Sequence, residues 1–404
     1  MKITGLIAEY NPFHNGHQYH MEQAKKCTGA DAILVVMSGD FVQRGAPAIM
    51  PKHLRAQMAL ESGASVVLEL PVCFSTGSAE KFAYGAVALL DQLGCVDSLC
   101  FGSECGDVTV LNNLAEILRK EPAKYKLALS EYLRQGDVFP LARQKAVADY
   151  LDSNVADPVL AEPNNILGIE YLKALQRLAS PISPYAIERI SSHYHDTRLR
   201  ETYSSATAIR EKMQCAELNW DTLKEQMPKA AVKVMKEHDQ VCFPIVSNDF
   251  SLLLKYKLLT ETRETLVGYE DVSEELANRI LNHLNRYESY EQFCDCLKTK
   301  EVTHSRVRRA LLHILLGIKK SSSSTPLYAR ILGFRKDASD VLSAIKKYSE
   351  LPLLTKLTAT EELSLEARKM LDSDIFASNL YASLISDKFH TPFVHELEKQ
   401  IVRV

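Results

Sequence analysis

The sequence predicts an α/β fold: a parallel sheet buried on both faces in the first half, and helices and loops alone after about residue 245. Two observations lead there. Short, mostly apolar runs recur through the first hundred residues, each stopped by turn residues, and helical patterns separate them. Strands too apolar to face water on either side, alternating with helices, are the mark of a parallel sheet covered on both faces.

The elements follow in order. Ile3–Ala8 (ITGLIA) is the first strand, and His17–Cys27 is helix-like. Asp31–Met37 (DAILVVM) is a β-branched strand ended by Ser38-Gly39-Asp40. Pro51–Ser62 opens with proline, favoured at a first helical position, and continues as a helix. Ser65–Leu70 (SVVLEL) is a strand stopped at Pro71, Ser78–Leu93 an alanine-rich helix, and Ser98–Phe101 a strand ending at Gly102. Residues 107 to 180 are mostly helical, with a loop near Asp157–Asn165. Tyr185–Ile190 (YAIERI) is a fifth strand, and a helix runs from about Ser205 to Met213. Ser321–Ser324 with Pro326 marks a short loop that breaks the helical second half.

The 404 residues, 46% of them hydrophobic, suffice for two or three domains at roughly 150 residues each. A formal charge of −3 gives no global basic field, so a nucleic-acid site must be a local patch. The nine cysteines are odd in number and form no Cys-x-x-Cys, which speaks for reduced thiols and against a disulfide scaffold or zinc ribbon. Cys294 and Cys296 read as helix-surface residues. The start of the chain does not read as a signal peptide, and no apolar run reaches about 18 residues, so a cytoplasmic protein without a membrane span is expected.

The segment AEYNPFHNGH joins the first strand to the first helix. In a parallel sheet ligands sit at the carboxyl ends of the strands, where His14–His17, Ser38–Arg44 and Gly102–Glu104 all fall. A helix N-terminus offers unsatisfied N–H groups and a positive dipole end, so it receives anions. Gly16 would let a nucleotide approach without a Cβ in the way. His14 and His17 would donate hydrogen bonds to phosphate oxygens that gain charge as pyrophosphate leaves, which is electrostatic stabilisation. An ordinary turn with two solvated imidazoles is the plain alternative. A metal site on His14, His17 and His20 lacks a carboxylate to complete it.

The segment resembles the HxGH signature of the nucleotidyltransferase superfamily, and Tyr203–Arg210 (YSSATAIR) resembles that superfamily's second motif, Ser-x-Thr-x-x-Arg. Ser205 and Thr207 would cap the following helix or touch phosphate, with Arg210 one turn inside it as a bidentate donor. The likeness extends further. AEYNPFHNGHQYH, MSGDFVQRGAPAIMPKHLRAQMALESGASVVLELP, FGSE, PNNILGIEYLKAL and SRVRRALLHILL, in this order, resemble the bacterial tRNA(Met) cytidine acetate ligase family. The resemblance implies a Rossmann-like nucleotidyltransferase domain over residues 1–240 and a helical tRNA-binding domain over 241–404. It implies an enzyme that activates acetate with ATP as acetyl-adenylate and acetylates N4 of the wobble cytidine of elongator tRNA(Met), releasing AMP and diphosphate. Magnesium is expected as counter-ion of ATP, without a dedicated carboxylate cage and without a protein partner.

The same resemblance makes Ile7, Ala8, Glu9, Tyr10, Asn11, Pro12, Phe13, His14, Asn15, Gly16, His17, Gln18, Tyr19 and His20 candidates for the ATP site. Gly102, Asn164, Asn165, Arg189, Ser205, Thr207 and Arg210 join them. Asn164 and Asn165 read otherwise as a helix cap, and His193 and His195 as loop residues. Arg44 is the candidate to hold acetate or the cytidine side, and Asp40 and Gln43 to read the base amine; an Arg–Asp pair in a structured loop is the alternative. Lys52 and Arg55 sit on the next helix, solvated or functional. Arg306, Arg308 and Arg309 form a cationic stripe suited to RNA phosphates, or a solvated helix face. Gly333-Phe334-Arg335-Lys336 sets an aromatic ring beside two cations, able to stack on a loop base.

Two other functions fit the motifs. A small-molecule adenylyltransferase acting on a phosphate-bearing acceptor would use the same HxGH, but has no need of a basic helical half. A non-catalytic RNA-binding protein would have no use for intact His14, Gly16, His17 and Arg210.

Overall fold

The computed structural model describes residues 1–152, 156–189, 205–214, 220–320, 323–358 and 360–404. Its strands are β1 (Ile3–Ala8), β2 (Ala32–Ser38), β3 (Phe41–Val42), β4 (Ala46–Pro47), β5 (Val66–Leu70), β6 (Ser98–Ser103), β7 (Ser183–Glu188), β8 (Ala329–Phe334), β9 (Leu353–Leu354) and β10 (Val402–Arg403). The main sheet runs β10-β8-β5-β2-β1-β6-β7, with β9 beside β8. Strands β5, β2, β1, β6 and β7 are mutually parallel, as their apolar runs predict. The strand order reverses at β1, between β2 and β6. That switch opens a crevice beyond the carboxyl ends of β1 and β6.

Helices in the first half are α1 (Asn15–Thr28), α2 (Lys52–Glu61), α3 (Val72–Ser75), α4 (Ala79–Gln92), α5 (Val108–Lys120), α6 (Ala123–Arg134), α7 (Phe139–Leu151), α8 (Ala156–Ala161), α9 (Pro163–Leu178) and α10 (Ala206–Met213). The second half adds α11 (Trp220–Gln226), α12 (Lys229–His238), α13 (Ser251–Leu259), α14 (Arg263–Val267), α15 (Glu274–His283), α16 (Tyr290–Leu297), α17 (His304–Leu316), α18 (Ser339–Tyr348) and α19 (Leu365–Phe389). The pleat of β2 divides the core. Leu34 and Val36 point to the face that carries α4 and α9, while Ile33, Val35 and Met37 point to the face that carries α1, α2 and α12.

Three expectations need correction. The second half is not helical throughout: β8 pairs antiparallel with β5, and β10 and β9 pair with β8, so this part extends the sheet. The segment near Asp157–Asn165 is not a loop but the helices α8 and α9, because Pro163 starts a helix as readily as it breaks one. Cys294 lies in the core under α16, not on its surface. The cysteines among the described residues are all thiols. No helix among them is long and apolar enough to cross a membrane. Ile190, His193, His195, Tyr203, Ser204 and part of the Ser321–Ser324 break lie outside the described residues.

Candidate active site

The site begins where β1 hands the chain to α1. Tyr10 and Phe13 are buried and pack edge-on to each other, anchoring the turn in the core. Asn11 pins it from two sides: its Oδ1 accepts from Ile49 N at 2.7 Å, and its carbonyl accepts from the Arg210 guanidinium at 2.8 Å. The turn therefore delivers His14 to the first position outside α1.

His14 is the cap of that helix. Its Nδ1 accepts from Gly16 N at 3.0 Å, while His17 Nδ1 accepts the His14 N–H at 3.2 Å. This reciprocal cap fixes the chemistry of both rings. A nitrogen that accepts carries no proton, so the neutral imidazoles hold their hydrogen on Nε2. The rings stack with centroids 3.7 Å apart. Burial, then Arg189 and Arg210, pull the His14 pKa down to about 3. Burial, then His14, Arg189 and His20, hold His17 well below its usual value. Burial and Arg189 bring His20 to about 4, and its Nε2 is buried with no hydrogen-bond partner among the described residues. At neutral pH the three histidines are uncharged, and His14 and His17 are Nε2–H donors.

Gly16 has a reason within the chain itself, beside the one expected. A Cβ on it would lie 2.9 Å from His14 Cε1, so glycine makes room for the capping imidazole itself.

Permanent charge comes from the facing wall. Arg189 follows β7 and lies over Gly102, where a Cβ would come within 3.3 Å of its Cγ. Arg210, on α10, holds the Asn11 carbonyl and donates to Thr207 Oγ1 at 3.0 Å, while Ser205 caps α10 through Ala208 N at 3.1 Å. The second motif is thus tied to the first through Arg210 and Asn11.

Asn164 and Asn165 lock the end of β6. Asn165 is buried, and its Oδ1 accepts from Ser103 Oγ at 2.7 Å, Glu104 N at 2.9 Å and Cys105 N at 3.2 Å. Glu104 returns a carboxylate to the start of α9, accepting from Asn165 N at 2.8 Å and from Asn164 Nδ2. This helix N-terminus is already occupied by an anion from the chain. In the sequence Glu104 stands out only as the end of the Gly102–Glu104 turn, with no role of its own; its signal is an acidic residue directly after a strand. Among the described residues no group of three or more His, Cys, Asp or Glu is arranged to hold a metal.

Arg44 sits on the hairpin β3–β4. Gln43 N on the same hairpin donates to Glu9 Oε1 at 2.9 Å, tying it to the end of β1. Gly45, at φ 75°, lies against α17: a Cβ there would come within 2.4 Å of Arg309 N. The hairpin is therefore the joint between the crevice and the cationic helix.

Comparison with known proteins agrees with this architecture. The model of the family described as HIGH Nucleotidyl Transferase matches residues 1–394. A tRNA(Met) cytidine acetate ligase of Thermoanaerobacter sp. (strain X514) is 40% identical over 405 residues, covering 99% of this chain and 100% of the relative. That of Acetivibrio thermocellus is 41% identical over 392 residues, 94% of each. The chain belongs to the tRNA(Met) cytidine acetate ligase family. The crystal structure of apo Thermotoga maritima TmcAL superposes with a TM-score of 0.93 at 32% identity, covering 100% of both chains. Thermotoga maritima TmcAL bound with alpha-thio ATP gives 0.90 at 31%, covering 100% of this chain and 99% of the other.

In this member of the family, several sequence candidates turn out to be framework. Lys52 and Arg55 are fully buried, not solvated. Lys52 Nζ lies 2.7 Å from Glu69 Oε1, 3.0 Å from Glu396 Oε1 and 2.6 Å from Ser378 Oγ. Arg330 on β8 completes the cluster, at 2.6 Å from Glu69 and 2.5 Å from Glu396. Arg55 donates to the carbonyls of Glu9, Ser38, Gly39 and Met50, so one guanidinium ties the ends of β1 and β2 together. Asp40 is buried and accepts Lys52 N at 2.8 Å, and Gln43 Nε2 donates to the Gly77 carbonyl at 3.3 Å. Asp40 thus has a framework bond to the start of α2, and Gln43 one to the turn after α3. On α17, Arg308 pairs with Glu291, and Arg309 with Asp271 at 2.8 Å and 3.3 Å. The stripe is therefore partly neutralised at Arg308 and Arg309, whereas Arg306 forms no ion pair among the described residues. Arg335 is paired with Asp337 beside Phe334.

Proposed function

We propose that the chain acetylates N4 of the wobble cytidine, position 34, of elongator tRNA(Met), with acetate activated by ATP. What carries the reading is the pair of neutral Nε2–H imidazoles, held by a reciprocal helix cap and faced by Arg189 and Arg210, in a chain alike over its whole length to enzymes of that name. ATP lies with its phosphates across the start of α1. An acetate oxygen attacks the α-phosphorus, the bond to the bridging oxygen breaks, and diphosphate leaves. His14 and His17 donate to the oxygens that gain charge, and Arg189 and Arg210 supply positive potential. The cytidine N4 then attacks the acyl carbon of acetyl-adenylate, AMP leaves with the bonding electrons, and the amine loses a proton. A mixed anhydride is needed because this exocyclic amine is a weak nucleophile.

Magnesium travels with the ATP phosphates. Glu9 and Glu104, which follow β1 and β6, each accept from a backbone N–H. Arg44, on the hairpin, receives acetate or the cytidine side. Residues 1–240 form the catalytic part and residues 241–404 carry tRNA contacts, in the cytoplasm, where Arg306, Arg308 and Arg309 flank the path to the hairpin.

The test is nucleoside mass spectrometry on unmodified tRNA(Met) incubated with the protein, ATP, magnesium and isotope-labelled acetate. Labelled N4-acetylcytidine is expected. Its absence overturns the reading and makes a small-molecule adenylyltransferase the reaction to test.

A further inference from the structure

We propose that the groove between α15 and the loop 298–303 receives an unstacked base of the tRNA, so that recognition begins outside the catalytic crevice. The inference rests on the reading of function above and adds its RNA-recognition residues. The groove encloses about 510 Å³ and is lined by Glu275, Asn278, Asn282 and His283 on α15 and by Lys300 and Glu301 on the loop. It is a built feature. Arg279 holds the end of α16, from which the loop springs, by donating to the carbonyls of Cys296 at 2.8 Å and Leu297 at 2.9 Å, and reaches the first loop carbonyl, Lys298, at 3.4 Å; within the loop Thr299 Oγ1 accepts from Val302 N at 3.0 Å.

Its chemistry suits a base better than a phosphate. Asn278 and Asn282 are one helical turn apart, and no described residue takes their amides or the Lys300 ammonium. Each amide offers donors and an acceptor. His283 Nδ1 donates to the Arg279 carbonyl at 2.9 Å, which leaves Nε2 as an acceptor in the neutral ring. Glu275 and Glu301 would repel a phosphate but accept from an exocyclic amine. Bases splayed from RNA loops are read in this way, along their hydrogen-bonding edges.

The position fits as well. The loop runs into Thr303, the cap of α17, and Arg308–Arg309 on that helix are what Gly45 of the hairpin touches. Five residues at 1.5 Å each put Thr303, where the loop ends, about 8 Å along the helix axis from Arg308, which Gly45 touches. Arg306 lies between them. A strand seated on Arg306 would thus lay one base in the groove while a neighbouring base turns towards Arg44.

The experiment is steady-state acetylation of an unmodified tRNA(Met) transcript by the wild type and by Asn278→Ala/Asn282→Ala, at several salt concentrations. Both side chains are exposed, and an unchanged melting temperature verifies the fold. The expected result is a KM for tRNA raised about tenfold, with kcat within threefold and an unaltered salt slope, since base contacts release no counterions. A KM within twofold of wild type overturns the groove, and so does a raised KM with a shallower salt slope, which would mean a phosphate contact. If the wild type makes no acetylcytidine, the reading of function falls and the groove with it.

Discussion

His14 does two jobs, and one substitution separates them. The ring caps α1 through Nδ1, 3.0 Å from Gly16 N, and offers Nε2–H to the crevice. His14→Asn keeps an N-capping acceptor of the best kind but is too short to place a donor where Nε2 stands. Its stability is expected within about 0.5 kcal/mol of wild type, whereas His14→Ala loses the cap and about 1 kcal/mol. Removing one preorganised donor to developing charge costs about 2.7–4 kcal/mol, so both variants should lose 10²–10³ in rate. The assay is acetate-dependent exchange of labelled pyrophosphate into ATP, read beside thermal unfolding. Exchange above one third of wild type in His14→Asn refutes the donor role. Equal stability of the two variants refutes the cap.

Gly16→Ala sets a Cβ 2.9 Å from His14 Cε1 and so displaces the imidazole; exchange should fall about as far as in His14→Asn, and wild-type exchange would show that the ring's position is immaterial. Glu396→Gln leaves Lys52 and Arg330 buried and sharing Glu69, with Asp40 3.9 Å from Lys52; a loss of about 3–5 kcal/mol is expected from urea unfolding, and an unmoved midpoint would mean that the cluster is not dry. Arg306→Gln should weaken tRNA binding and flatten the slope of log affinity against log salt by about one, while Arg309→Gln, which strands Asp271, should chiefly lower the melting temperature. Equal salt slopes in wild type and Arg306→Gln would move the phosphate path off α17.

The central sheet was legible because strands buried on both faces are apolar over most of their length, as AILVVMS and VVLEL are, with Glu69 the charged exception. Strand β8 carries the same signal in ARILGF, but Gly333 and the polar break before it make six residues easy to pass over. Strands β9 and β10, two residues each, have no period to read. The first motif was legible as an anion site, because glycine and histidine at a strand-to-helix junction have local reasons. The framework roles of Lys52 and Arg55 had none. Lys52 is buried by Ser378 and Glu396, more than three hundred residues away, and nothing beside it in the chain tells a core ammonium from a solvated one. The pairing of Arg309 with Asp271 is hidden for the same reason. The helix face is visible in sequence; the carboxylate opposite it is not.

The division of labour in the crevice has a consequence for pH. Histidine usually brings a charge that switches near neutrality, but here charge and hydrogen bonding are assigned to different residues. Arg189 and Arg210 stay cationic throughout, and His14, His17 and His20 stay neutral because burial lowers their pKa values, helped by Arg189 at all three and by Arg210 at His14. The sign for stability follows. The unfolded chain binds protons on these rings below about pH 6.5 and the folded chain does not, so stability is full above pH 6.5 and is lost as pH falls towards about 4 for His20 and about 3 for His14. Each ring contributes a slope of up to about 1.4 kcal/mol per pH unit within its window. Denaturation at graded pH should show proton uptake on unfolding that His14→Asn reduces by one. Exchange activity should carry no ionisation from these rings between pH 6 and 8, since their donor form is already complete there. An activity limb with an apparent pKa near 6.5 that vanishes in His14→Asn or His17→Asn would show that a charged imidazole takes part, and would return the site to ordinary acid–base chemistry.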